Sequence, residues 1–335
     1  MPPPSFRWNE SIPVKFFTSN VFAPNKAICK ILRTISFSLL IVFFAAPSVV
    51  WAVDAETRYP NRIISTSPSI TETLFALGLG RRVVGVTDFC EYPSEACQLP
   101  SIGGMTNPHM ETLVTLRPDL VLHLSHSAKM ARYTKALGIR SMGIKMDTLD
   151  DILNAIKFLG STFGVKENSE QLLKKLTTGI NFYKKRLQDI HPKETLLLLG
   201  DSSDPGRDLY ATGPKTFLHE LLEVSGGKNI LHESMAKYPR LTKEYVIEKS
   251  PEVIIEAGPK SQLTPEQVKE RLKGWKRFAS IRAVQTGQLY YIGADYILIP
   301  GPRLLSILEQ FSQVLHPEIF HNSFDSSRKK EEEMP

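Results

Sequence analysis

The sequence predicts an α/β protein: two doubly wound parallel-sheet lobes joined by one long rigid helix, with a ligand cleft between the lobes. Three observations predict it. Residues 111–122, ETLVTLRPDLVL, recur 133 positions later as residues 244–255, EYVIEKSPEVII, each a glutamate, two apolar residues, proline with an acid at the seventh and eighth places on, and three apolar residues. Each copy reads as a short helix halted before proline and followed by a buried strand. Strand-like runs alternate with helical patterns in both halves of the chain, which specifies parallel sheets. A long amphipathic stretch lies between the two halves.

Residues 1–52 read as a secretory leader. Lys26, Lys30 and Arg33 precede the apolar run 35–46, and Val50, Trp51 and Ala52 supply a small-x-small site, so cleavage after Ala52 is expected. The residues ahead of Lys26 are many for such a leader, and retention as a membrane anchor is the alternative. The leader holds five of the 41 Lys and Arg but one of the 35 Asp and Glu, so the remaining chain is almost neutral. Without a basic surface to neutralise phosphates, nucleic-acid binding is set aside.

The first lobe spans 60–147. Its strands are expected at 62–65, 83–87, 120–124 and 141–144, with a helix capped by Ser67 or Ser69 and ended by Gly78. A helical connection, 148–190, follows. From 166 to 189 the apolar residues Leu172, Leu173, Leu176, Ile180, Tyr183 and Leu187 recur at intervals of three and four. One helix of about 24 residues, roughly 36 Å long, is the result. Such a helix is a strut, and large hinge closure is not expected of it; membership of one lobe's outer layer is the alternative. The second lobe, 191–320, has strands expected at 195–199, 253–256 and 289–291 and a helix at 217–224 stopped by Gly226 and Gly227. The tail, 321–335, is polar and aperiodic and is expected to be disordered.

Of three cysteines, Cys29 lies in the leader, which leaves Cys90 and Cys97. An even pair in an exported chain is expected to form a disulfide. Its small ring would add at most roughly 2 kcal/mol. The spacing does not match the CxxC of metal or redox pairs.

In open parallel sheets the carboxyl ends of the strands form the binding crevice. The candidate loops are 65–69 with Ser67, Phe89 and its neighbours, and Ser125 with His126 in the first lobe. In the second they are 201–207, the loop around Tyr238, Gly258 with Pro259, and Asp295 with Tyr296. Aromatic faces, hydroxyls and few charges suit a bulky, partly apolar ligand. His109, His123 and His126 raise a zinc or manganese receptor as a weaker reading, because a compact site would need further ligands from the second lobe. Neither GxSxG nor GxGxxG stands at a strand-to-helix turn, so no enzyme is expected, a hydrolase being the remote alternative.

The run RIISTSPSITETLFALGLGRRVVGVT, then EYPSEA, LPSIGGMTNPHMETLVTLRPDLVL, TFLHELLEVSGGKNI, YPRLTKEYVIEKSPEVIIEAG and GADYILIPGPR, in this order over about 62–311, resembles the periplasmic substrate-binding proteins of cobalamin and iron-siderophore ABC importers. The resemblance implies a monomer with no resident cofactor that binds its ligand between the lobes and delivers it to a permease with a cytoplasmic ATPase. Its cobalamin branch places cleft residues at Phe89, Met105, Leu124, Tyr238 and Asp295. Glu111 and Glu244 are similar to the family's two docking glutamates, which pair with permease arginines. Two departures bear on the ligand. The tryptophans common in that branch are missing, Trp275 matching a structural motif instead, and Ile299 stands where a cleft arginine is expected, leaving Asp295 unpartnered. Ferric siderophore or haem is therefore the neighbouring expectation, with Arg207, Lys237 and Arg240 available to an anionic chelate.

Overall fold

The computed structural model describes residues 59–200, 209–259 and 263–320, all within one compact unit, 58–335. The leader, loop 201–207 with Arg207, and the tail lie outside the described residues.

The first lobe is built on four parallel strands, β1 (Ile63–Ser65), β2 (Val83–Gly85), β3 (Leu120–Leu124) and β4 (Ser141–Ile144), in the order β2-β1-β3-β4. The central strands β1 and β3 are apolar along most of their length because helices cover both faces. Helix α1 (Pro68–Ala76) starts where Ser67 accepts the Ile70 N–H and Pro68 presets the first turn, and Gly78, at φ +76°, lets the chain leave it. Short α2 (Met110–Thr115) precedes β3, and α3 (Ala128–Ala136) links β3 to β4.

Helix α4 (Leu149–Thr162) opens with a capping box: Thr148 accepts the Asp151 N–H and Asp151 accepts the Thr148 N–H. It packs along α5 (Lys166–Leu187), the expected strut, whose 22 residues span about 33 Å. Near its start Asn168 donates to the Leu77 carbonyl at 2.9 Å, and near its end Arg186 donates to the Ile319 carbonyl at 3.2 Å. The strut is thus fastened to both lobes.

Among the described residues the second lobe has six strands: β5 (Lys193–Leu199), β6 (Leu209–Ala211), β7 (Gly227–Asn229), β8 (Arg240–Leu241), β9 (Val253–Gly258) and β10 (Leu289–Gly293). The parallel set β10-β9-β5 matches the three strands expected here. The sequence reading omitted β6 and β8, an antiparallel extension on the cleft half of β5, and β7, which shares that edge with it. Helices α6 (Phe217–Val224), α7 (Lys243–Lys249), α8 (Pro265–Lys273), α9 (Arg282–Gln285) and α10 (Leu304–Leu315) complete it. One apolar core runs through both lobes, from Ile63 and Leu122 past Leu159 and Leu176 to Leu197, Ile255 and Leu308.

The repeat is structural down to single residues. Leu113 and Val246, at equivalent places, are fully buried and fix α2 and α7 to their lobes. Arg117 and Ser250, 133 positions apart, both take a left-handed backbone, φ 44° and 40°, that turns the chain from helix to strand.

Candidate functional site

The loop after β2 carries Phe89, 59 % exposed, and Tyr92, nearly half exposed. Around the end of β3, Met105 and Leu124 line a cavity of about 340 Å³ together with Thr66, Thr106, His126 and Lys129. Lys129 reaches across to donate to the Thr106 carbonyl at 2.8 Å. Phe89 lies beside this loop, its ring next to Gly104. Apolar side chains left uncovered at the ends of buried strands are surface the fold itself does not need.

From the second lobe, the loop before β8 brings Tyr238, half exposed, toward the first. Two backbone bonds strap it down, Gly213 N–H to the Lys237 carbonyl at 2.7 Å and Ala211 N–H to the Pro239 carbonyl at 3.0 Å. Its neighbour Lys237 forms an ion pair at 2.9 Å with Asp147, which follows β4. Burial, and the negative charge of Asp147, push the Tyr238 hydroxyl above its ordinary range.

Asp295 and Tyr296 follow β10 and meet a cluster that sequence reasoning missed. Arg303 donates to Asp295 Oδ2 at 2.5 Å, and to Glu72 of α1 at 2.9 Å from Nε and 2.5 Å from Nη2. Its guanidinium also lies over the Tyr92 ring at 4.0 Å and the Tyr296 ring at 5.1 Å. Asp295 therefore has an arginine partner after all, supplied by Arg303 rather than by position 299: the turns at 294–299 fold the chain back to deliver it. Glu72 is 3 % exposed and belongs to the first lobe, so the bidentate bond fastens one lobe to the other at the floor of the cleft. Burial pushes the Glu72 carboxyl up, and the Arg303 guanidinium pulls it part of the way back. Sequence offered no local signal, because 231 positions separate the pair.

One expectation is corrected, the cysteine pairing, while Ser67 takes the capping place expected of it or of Ser69. Ser67 is buried and its hydroxyl is committed, accepting from Ile70 N–H at 3.4 Å and sharing a bond with Ser69 Oγ at 2.9 Å, so it caps α1. Cys90 and Cys97 are free thiols. The Cys90 sulfur lies buried against Thr71 Oγ1 at 3.1 Å and Thr87 Oγ1 at 3.2 Å, whereas the Cys97 thiol donates outward to the Glu91 carbonyl at 3.2 Å. Different partners thus hold the two sulfurs.

The histidines do not assemble. His123 is buried with Nδ1 at 2.9 Å from the Leu124 carbonyl, His126 lines the cavity and His109 precedes α2; among the described residues no group of three His, Cys, Asp or Glu is placed to hold a metal ion. A larger groove, about 510 Å³, runs between α5 and α6. It is lined by Lys184, Glu220 and Glu223, away from the strand ends, and the cleft is the better candidate on chemistry. Glu111 and Glu244 are exposed in the first turns of α2 and α7, one on each lobe.

Comparison with known proteins gives this architecture its family. The model of the periplasmic binding protein family matches residues 63–296. The uncharacterized ABC transporter substrate-binding lipoprotein YvrC of Bacillus subtilis is 30 % identical over 272 residues, 78 % of this chain and 82 % of that one. A Vitamin B12-binding protein of Vibrio cholerae is 27 % identical over 291 residues, 84 % of this chain and 95 % of that one. Among solved structures, a periplasmic heme binding protein from Pseudomonas aeruginosa shares the fold with a TM-score of 0.67 at 23 % identity, over 78 % of this chain and 94 % of that one. Fold, repeat and sequence agree that the chain belongs to the periplasmic binding protein family, as a substrate-binding protein of the ABC-transporter type.

Proposed function

We propose that this substrate-binding protein captures cobalamin between its lobes and delivers it to the transmembrane subunits of an ABC importer. The observation that carries this reading is the uncovered aromatic and apolar surface at the strand ends of both lobes: Phe89, Met105 and Leu124 on one side, Tyr238 on the other. A flat, bulky macrocycle covers such surface, and the Asp295 carboxylate, held by Arg303, is an acceptor for amide N–H groups on the ligand's rim. Tyr296 belongs to the site through its packing on Arg303. The relatives named for vitamin B12 support this choice.

Glu111 and Glu244 dock the loaded protein, each meeting a cation on one of two like permease subunits. An exposed pair of this kind contributes only about 0–1 kcal/mol, so its value lies in orientation and encounter rate.

A second reading, haem as the cargo, is favoured by Met105 and His126 lining one cavity, since thioether and imidazole are both ligands of haem iron. Calorimetric titration with cyanocobalamin, then haem and a ferric siderophore panel, tests both. Saturable one-to-one binding of cyanocobalamin establishes the first reading. Silence with cyanocobalamin and a shifted Soret band with haem replaces it by the second, and silence with every probe removes both.

A further inference from the structure

Each docking helix carries a second exposed feature at the same place in the repeat. Val114 stands three residues after Glu111 and is 46 % exposed; Ile247 stands three residues after Glu244 and is 37 % exposed. Residues three apart share one helix face, with Cβ atoms about 5–6 Å apart, so carboxylate and branched side chain are neighbours on each lobe. A single exposed valine is ordinary. This pair is different, because across the two twelve-residue copies only the glutamate and the proline are identical. Position 114, or 247, has nevertheless stayed β-branched and uncovered in both. Neither side chain is needed to hold its helix, since the fully buried Leu113 and Val246 already do that.

We propose that Glu111 with Val114, and Glu244 with Ile247, are two matching composite contact points for the membrane permease. The occupant is the one the docking reading supplies, on which this inference rests: a partner of two like subunits, each presenting a cation beside an apolar notch. The division of labour follows from the physics. A rim carboxylate governs orientation and association rate, whereas a branched apolar group leaving water for a fitted notch governs how long the complex lasts. Repetition of both features on two lobes matches the repetition of the partner.

A photo-reactive benzoylphenylalanine placed at position 114, 247 or 182 of the full chain in the source cells provides the test. Position 182 is the control, an exposed phenylalanine on the strut. Both repeat positions are expected to label the same polytopic membrane protein, and position 182 to leave it unlabelled. The labelled partner in nanodiscs is then titrated with the full chain. V114D/I247D is expected to weaken binding by about tenfold or more with its thermal midpoint unchanged, tenfold being the effect of one well-buried apolar contact. Labelling of different membrane proteins, or of none, overturns the proposal. Unchanged binding by V114D/I247D where E111R/E244R abolishes it overturns the apolar role and leaves the docking glutamates standing. Unchanged binding by both variants removes the docking reading as well.

Discussion

Replacing Arg303 with methionine removes the guanidinium that fastens the lobes while keeping much of the volume. Glu72, 3 % exposed, loses both of its bonds to Arg303 and becomes an uncompensated buried carboxylate. Breaking one side of such a pair costs about 3–5 kcal/mol. For a chain of this size each kcal/mol moves the thermal midpoint by about 2–4 °C, so a fall on the order of 10 °C is expected. The pH dependence has a definite sign. Burial raises the Glu72 carboxyl above its ordinary 4.5 in the folded protein, so between the ordinary and the folded value the native state holds more protons than the unfolded one. Stability from this group therefore falls as pH rises through that window. Arg303→Met lifts the folded value further, so its penalty is expected to be larger at pH 8 than at pH 5. The companion variant E72M/R303M replaces a buried pair by apolar groups and is expected to recover most of the loss. Circular dichroism melts of the three proteins at both pH values read all of this. A loss under about 1 kcal/mol at pH 8, or a double variant no more stable than R303M, would refute the reasoning.

Phe89→Ala and Tyr238→Ala remove side chains that are more than half or half exposed, so each is expected to change stability by less than about 0.5 kcal/mol. Each is expected to weaken cyanocobalamin binding about tenfold, read by calorimetry beside a melting curve. Asp151→Asn tests the α4 cap. Burial opposes ionisation of this carboxyl, but hydrogen bonds from Lys145 and Thr148 together bring it below its ordinary 3.8. Its contribution is present above that value and lost as pH falls through the lower folded one, so a cost of about 1 kcal/mol at pH 7 is expected to vanish in strong acid. Ellman's reagent is expected to titrate exposed Cys97 in the native protein and buried Cys90 only after unfolding.

The lobes, the strut and the repeat were legible in the sequence because each rests on periodicity or on punctuation by proline and glycine. Strands β6 and β8 were not: three and two residues are too few for a period, and LYA and RL carry no pattern a loop lacks. Half of the candidate site was legible for the same reason that loops after strands are predictable. The Glu72–Arg303–Asp295 cluster was not, because Glu72 stands 231 positions from Arg303 and meets it only once both halves of the molecule have folded. The cap at Ser67 was legible too, because a serine just ahead of a helical apolar pattern has a hydroxyl placed to accept a first-turn N–H.

Helix α5 also acts as a ruler whose divisions are fixed by helical geometry. Tied near its start by Asn168 and near its end by Arg186, it tolerates length changes only in certain steps. One inserted residue advances the far end by about 1.5 Å and rotates it by about 100°, which would swing one lobe's binding edge out of line with the other's. Seven residues restore the angle to within about 20°, at the expense of about 10 Å more between the jaws. The gauge of the cleft, and hence the breadth of cargo it accepts, is thus set in whole turns of one helix.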